Sequence, residues 1–120
     1  MPCIVRTFNP RRKIKEEKPV ADCIFCKDLL KVLENELAYA LYDIKPLSKG
    51  HMLVIPKRHH VTVFESTFEE LRAMFDLLGQ AKAIIQKEHK PDAYNVTADC
   101  GPAAGQVVMH AHFHLIPRYK

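Results

Sequence analysis

At 120 residues the chain fits one domain, large enough to bury about two-thirds of its unfolded surface without staples. With 48% hydrophobic and 27% charged residues it has the composition of an ordinary soluble protein. No signal peptide is expected from its opening residues, and no apolar run nears the roughly 18 residues of a membrane span. A net charge of +4 suits small anionic substrates, and without aromatic interleaving it gives no support to nucleic-acid binding.

Residues 1–20 read as a basic N-terminal arm, with Arg11-Arg12-Lys13 and Lys15 followed by Glu16, Glu17 and Lys18. Prolines 2, 10 and 19 break it, so a solvated arm is expected before a domain over 21–120. A nuclear-localisation signal is the alternative reading of the cluster. Cys23-Ile24-Phe25-Cys26 follows, then Lys27–Leu33, predicted as a short helix. With no secretion signal the expected compartment is the reducing cytoplasm, where a close cysteine pair binds metal or does redox chemistry.

Alternation over Leu37–Ile44 predicts a strand, and Lys45-Pro46-Leu47-Ser48-Lys49-Gly50 a turn. His51–Pro56, nearly all apolar, is expected as a central strand whose pairing Pro56 ends. Ser66 and Glu69 have capping-box spacing ahead of a helix from about Thr67 to Glu88. Its expected core stripe is Phe68, Leu71, Phe75, Leu78 and Ile85. Gly79 costs that helix about 1 kcal/mol, and Pro91 stops it. Strands over Ala93–Asp99 and Val107–Ile116 complete the pattern, joined by the loop Cys100–Gln106. The fold class is therefore α+β, an antiparallel sheet with one long and one short helix.

The last strand carries the chemistry. In His110-Ala111-His112-Phe113-His114 three imidazoles recur every second residue, so a strand places them on one face, their roots about 6.5–7 Å apart. Imidazole titrates near neutrality and serves as nucleophile, acid, base or ligand. Just before it, Gly101-Pro102-Ala103-Ala104-Gly105-Gln106 is small enough for backbone N–H groups to approach phosphate oxygens. An ordinary hairpin loop has the same composition.

The run Gly105–Arg118 and the block Gly50-His51-Met52-Leu53-Val54-Ile55-Pro56-Lys57-Arg58-His59 together resemble the histidine-triad (HIT) family, from about Cys23 onward. The resemblance implies a dimer and a hydrolase in which His112 attacks the α-phosphorus of a nucleotide. His114 then contacts the phosphate and assists the leaving group, His51 tunes its protonation, and His110 completes the triad. Asp43 matches the residue that holds the ribose hydroxyls, and Ile44 and Leu53 those facing the base, expected to be a purine. Asp99, Gly105, Gln106 and Val107 fall where the family meets the phosphate. A structural zinc is implied at Cys23, Cys26, His59 and His110, with His60 a competing ligand and a redox dithiol the alternative for the cysteines.

Departures from the family are Asp99 for the usual Asn, Val107 for a frequent Ser, and the missing Gly-x-Ile-Pro turn after Cys26. The chain also ends at Tyr119-Lys120 without the extension that shapes leaving-group specificity in some relatives. The substrates implied are phosphoramidates or dinucleoside polyphosphates. Two rivals stand beside this reading. One is a catalytically weak nucleotide-binding or protein-interaction module of the same fold. The other is a metal-dependent hydrolase with His110, His112 and His114 as ligands.

Overall fold

In the computed structural model, which describes residues 22–27 and 29–120, five antiparallel strands form one sheet. They are β1 (Leu33–Glu34), β2 (Ala38–Tyr42), β3 (Met52–Pro56), β4 (Ala93–Thr97) and β5 (Phe113–Arg118), in the order β1-β2-β3-β5-β4. One helix, α1 (Phe68–His89), packs across the sheet. The expected arm over 1–20 lies outside the described residues.

Strand alternation divides the interior in two. Ala38, Ala40, Met52, Val54 and Leu115 meet Met74, Leu77, Leu78, Ala81 and Ile85 of α1. The alternate residues Tyr39, Leu41, Leu53 and Ile55 join Phe25 in a second cluster on the opposite face. Small alanines face the helix and let it approach; larger side chains fill the other side. In the register, Leu53 stands opposite His114, and His114 opposite Thr97, so His114 belongs to the face turned away from α1.

Several sequence expectations are displaced. The cap of α1 is Thr67 paired with Glu70, one residue later than Ser66 and Glu69, because Glu70 is buried and held by Arg58 at 2.9 Å. The apolar stripe runs Met74, Leu77, Leu78, Ala81 and Ile85, whereas Phe68 and Phe75 are exposed, Phe75 lying 5.4 Å from Phe113. Residues 29–32 are not helical; the helical turn comes earlier, as a 3-10 turn at Ile24–Cys26. Pro56 still pairs, opposite Ala38, and Lys57 N–H donates to Leu37 carbonyl at 2.8 Å one step further. The helix ends at Lys90, left-handed at φ 50°, just before Pro91.

Candidate active site and metal centre

Regular pairing of β5 begins at Phe113, so only His114 of the three imidazoles sits in the strand. His110 and His112 lie in the lead-in, where each ring finds its own carbonyl. This shortens the expected strand, while Phe25 still stands against both His110 and His112, and His112 against His114. His110 Nε2 donates to the Pro56 carbonyl at 2.7 Å, and His112 Nδ1 donates to the His110 carbonyl at 2.7 Å. A carbonyl only accepts, so these contacts place the ring protons: His110 keeps a bare Nδ1 and His112 a bare Nε2. Burial lowers both pKa values, His110 to about 4, so both rings are neutral at pH 7.

The bare Nδ1 of His110 points into a group of four. Cys23 Sγ lies 3.3 Å from it, Cys26 Sγ 3.5 Å and His59 Nδ1 3.2 Å; Cys26 Sγ is 3.3 Å from His59 Nδ1. A tetrahedral zinc with Zn–S about 2.3 Å and Zn–N about 2.05 Å has S···N edges of about 3.6 Å and N···N edges of about 3.4 Å. Those edges, together with a ligand nitrogen already stripped of its proton and oriented from behind, fit a closed structural zinc site. His60 is not part of the group. Its Nε2 bonds Ser66 Oγ at 2.7 Å and its Nδ1 lies 4.0 Å from Glu70. The three triad imidazoles do not form a metal group of their own among the described residues: His110 Nδ1 turns to the two cysteines and His59, whereas His114 groups with Asp43 and His51.

A second group, Asp43, His51 and His114, also has ligand-type atoms within 4.8 Å of one another. Here the protons argue against a metal. The Leu47 N–H donates to His51 Nδ1 at 3.1 Å, so neutral His51 carries its proton on Nε2. That nitrogen faces His114 Nδ1 at 3.0 Å and Asp43 Oδ2 at 3.6 Å, as a donor. His114 then accepts at Nδ1 and holds its own proton on Nε2. Burial lowers the pKa of His51 and His114, against the carboxylate of Asp43, which raises both. The His112 and His114 rings stand 4.9 Å apart, one offering a lone pair and the other an N–H.

The loop before the triad differs from the expected open array of amides. Ala104, Gly105 and Gln106 donate their N–H groups to Gly101, Pro102 and Gly101 carbonyls at 3.1, 3.0 and 3.2 Å. The Gly101 N–H goes to Gln106 Oε1 at 2.7 Å, and Gln106 Nε2 to Val61 and Val108 carbonyls at 2.6 and 3.0 Å. Gln106 is therefore a buried staple of the loop, its polar groups spent. Gly105 has φ 96°, a conformation that favours glycine. Val107 is left exposed, and its N–H makes no hydrogen bond among the described residues.

Asp43 Oδ1 accepts the Lys45 N–H at 2.9 Å, which leaves Oδ2 toward His51. Ile44 is exposed, and Leu53 is buried beside His114 in the register. Asp99 follows β4 by two residues; a Cβ built on Gly105 would lie 3.8 Å from its Oδ2. Its charge raises the pKa of both His112 and His114.

Three contributors escaped the sequence reading. The Leu47 N–H and the Pro56 carbonyl are main-chain groups that leave no residue signature. Phe25 stands edge-on to His112, ring centroids 5.1 Å apart, and its place inside the cysteine pair was the available signal.

Comparison with known proteins agrees with this geometry. The family description "HIT domain" matches residues 27–120. Adenylylsulfatase HINT3 of Arabidopsis thaliana is 36% identical over 112 residues, covering 88% of this chain and 57% of that protein. Adenosine 5'-monophosphoramidase HNT1 of Saccharomyces cerevisiae is 40% identical over 104 residues, covering 82% and 63%. The chain thus spans less than two-thirds of either enzyme's length. A HIT family protein from Bacillus anthracis has a solved structure with TM-score 0.78 at 40% identity, covering 83% of this chain and 75% of that one. A Zn-bound histidine triad family protein from Mycobacterium smegmatis gives TM-score 0.74 at 29% identity, covering 82% and 76%.

Proposed function

Because this chain belongs to the HIT family, we propose that it hydrolyses nucleoside 5'-monophosphate derivatives through a nucleotidyl intermediate on His112. The observation that carries the reading is the proton arrangement of the two facing rings. His112 Nδ1–H is tied to the His110 carbonyl at 2.7 Å, which leaves Nε2 as a lone pair. His114 takes a hydrogen bond from His51 at Nδ1 and presents its Nε2–H.

For a phosphoramidate, the His112 Nε2 lone pair forms a bond to the α-phosphorus. The P–N bond breaks and its electron pair leaves with the amine nitrogen, which is hydrogen-bonded by His114 Nε2–H and takes a proton from solvent, so His114 stays neutral. In the second half a water oxygen bonds to phosphorus and the His112–phosphorus bond returns its pair to Nε2. The water proton returns to solvent. The sum is phosphoramidate plus water giving amine plus nucleoside monophosphate. Asp43 Oδ2 is placed to receive ribose hydroxyls, with Leu53 and Ile44 beside the base, a purine in the family's pattern. The Val107 N–H, unlike those of Gly105 and Gln106, has no partner among the described residues and is placed to meet a phosphate oxygen.

Cys23, Cys26, His59 and His110 would hold a structural zinc, whose contribution is to fix the turn carrying Phe25. A homodimer is part of the same reading, supported by β4, an edge strand with Val96 half exposed. The weak-binder alternative rests on Asp99 and Val107, and a trapped adduct would dismiss it. Intact-protein mass spectrometry after brief incubation with an adenosine phosphoramidate tests the reading. An adenylyl adduct is expected, absent in His112→Ala. Turnover with no adduct on rapid quench, or full activity in that variant, would overturn it.

A further inference from the structure

Asp43 and Asp99 each act on both reacting histidines, His112 and His114, and each favours their charged form. Asp43 has partners, the Lys45 N–H and His51. Asp99 has neither a hydrogen bond nor an ion pair within the described residues. It is nonetheless part-buried, two residues beyond the strand that pairs Thr97 with His114, and its Oδ2 faces Gly105 at the foot of the loop. An unpaired carboxylate in a site that must take an anionic phosphate is a cost with no structural return visible in the fold.

That cost falls equally on every nucleotidyl substrate, because all of them bring the same α-phosphate. It cancels when two substrates are compared, and what remains is the interaction of Asp99 with the charge of the leaving group. We propose that Asp99 is a specificity-determining residue that makes this site favour nucleotidyl substrates leaving as a neutral or cationic amine over those leaving as sulfate or phosphate. The proposal rests on the hydrolase reading above and chooses among its substrate classes. A leaving-group charge about 8 Å from the carboxylate, in an effective dielectric near 20, corresponds to about thirtyfold in rate, and ionic screening leaves about tenfold.

The test compares kcat/KM for an adenosine phosphoramidate of a primary amine and for adenylyl sulfate, in the natural protein and in Asp99→Asn. This substitution keeps the side-chain shape and removes the charge. The natural protein is expected to prefer the phosphoramidate. Asp99→Asn should shift the ratio toward the sulfate by about tenfold, less at high salt, with an unchanged melting temperature. A ratio that stays within twofold while both substrates turn over would overturn the proposal and leave the hydrolase reading standing. Turnover of neither substrate, with no adduct on His112, would end both. A structural role for Asp99 predicts equal losses on the two substrates, so the split in the ratio separates the explanations.

Discussion

Replacing Cys23 by Ser should weaken the metal centre without dismantling the helix-side core. The two clusters are separate: the residues packed against α1 include none of the four metal-type ligands, whereas Cys23 touches the cluster built on Phe25, Tyr39, Leu41, Leu53 and Ile55. Zinc in small finger domains contributes about 10–16 kcal/mol to folding, as much as the whole stability of an ordinary domain. Here it closes a turn onto a sheet that already has its own core, so the loss should be a fraction of that. The side chain released is Phe25, only 8% exposed, whose carbonyl accepts a hydrogen bond from Tyr39 OH. Freeing a buried aromatic residue costs about 1.5–3 kcal/mol, and the lost hydrogen bond adds about 1 kcal/mol. Together that is about 3 kcal/mol, or on the order of 10 °C in melting temperature. Calorimetry of Cys23→Ser beside metal analysis of both proteins reads it out. A variant that melts within about 2 °C of a natural protein containing no zinc would refute the reasoning.

The remaining expectations are simpler. His114→Ala should slow turnover while leaving a detectable adduct, because the nucleophile is intact; an adduct lost along with activity would contradict the division of roles. Burial lowers the pKa of both His112 and His114 below 6.5, so the neutral forms persist to lower pH than in a free imidazole. Activity should therefore hold from pH 8 down to 6.5 and fall below that; a rate already halved at pH 7 by protonation of the enzyme would contradict it. Gly79 is exposed on α1 and a Cβ there meets nothing within 4 Å, so Gly79→Ala should add about 1 kcal/mol in denaturant unfolding. An unchanged midpoint would mean that Gly79 is not held in ordinary helical conformation.

Periodicity carried the fold further than it carried the details. The helix expected from Thr67 to Glu88 is observed over Phe68–His89, since a 3.6-residue pattern ahead of a proline is hard to mistake. Its cap was displaced because Ser66-Thr67-Phe68-Glu69-Glu70 holds two overlapping boxes of equal spacing. The ion pair with Arg58, eight residues before Ser66, decides between them. Phe68 and Phe75 fit the apolar period yet lie outside, because Met74 and Leu77 present the face that meets the alanines of β2. The cysteine pair announced a metal-type group, and the assembled geometry has the four side chains the resemblance implied. The loop and triad were legible as composition only. Which amides are spent and which ring nitrogen holds a proton depends on carbonyls brought in from elsewhere in the chain.

The donor that sets the His51 proton is the main-chain amide of residue 47, whose own side chain is exposed. Nineteen of the twenty amino acids supply that N–H equally well, so the position is free to drift while the chemistry it governs stays constant. Only proline deletes the group. Among relatives, position 47 should therefore vary widely in side chain yet avoid proline. A Leu47→Pro variant would free Nδ1 to carry the proton, leave Nε2 bare against a bare His114 Nδ1, and turn a directed proton path into two opposed lone pairs.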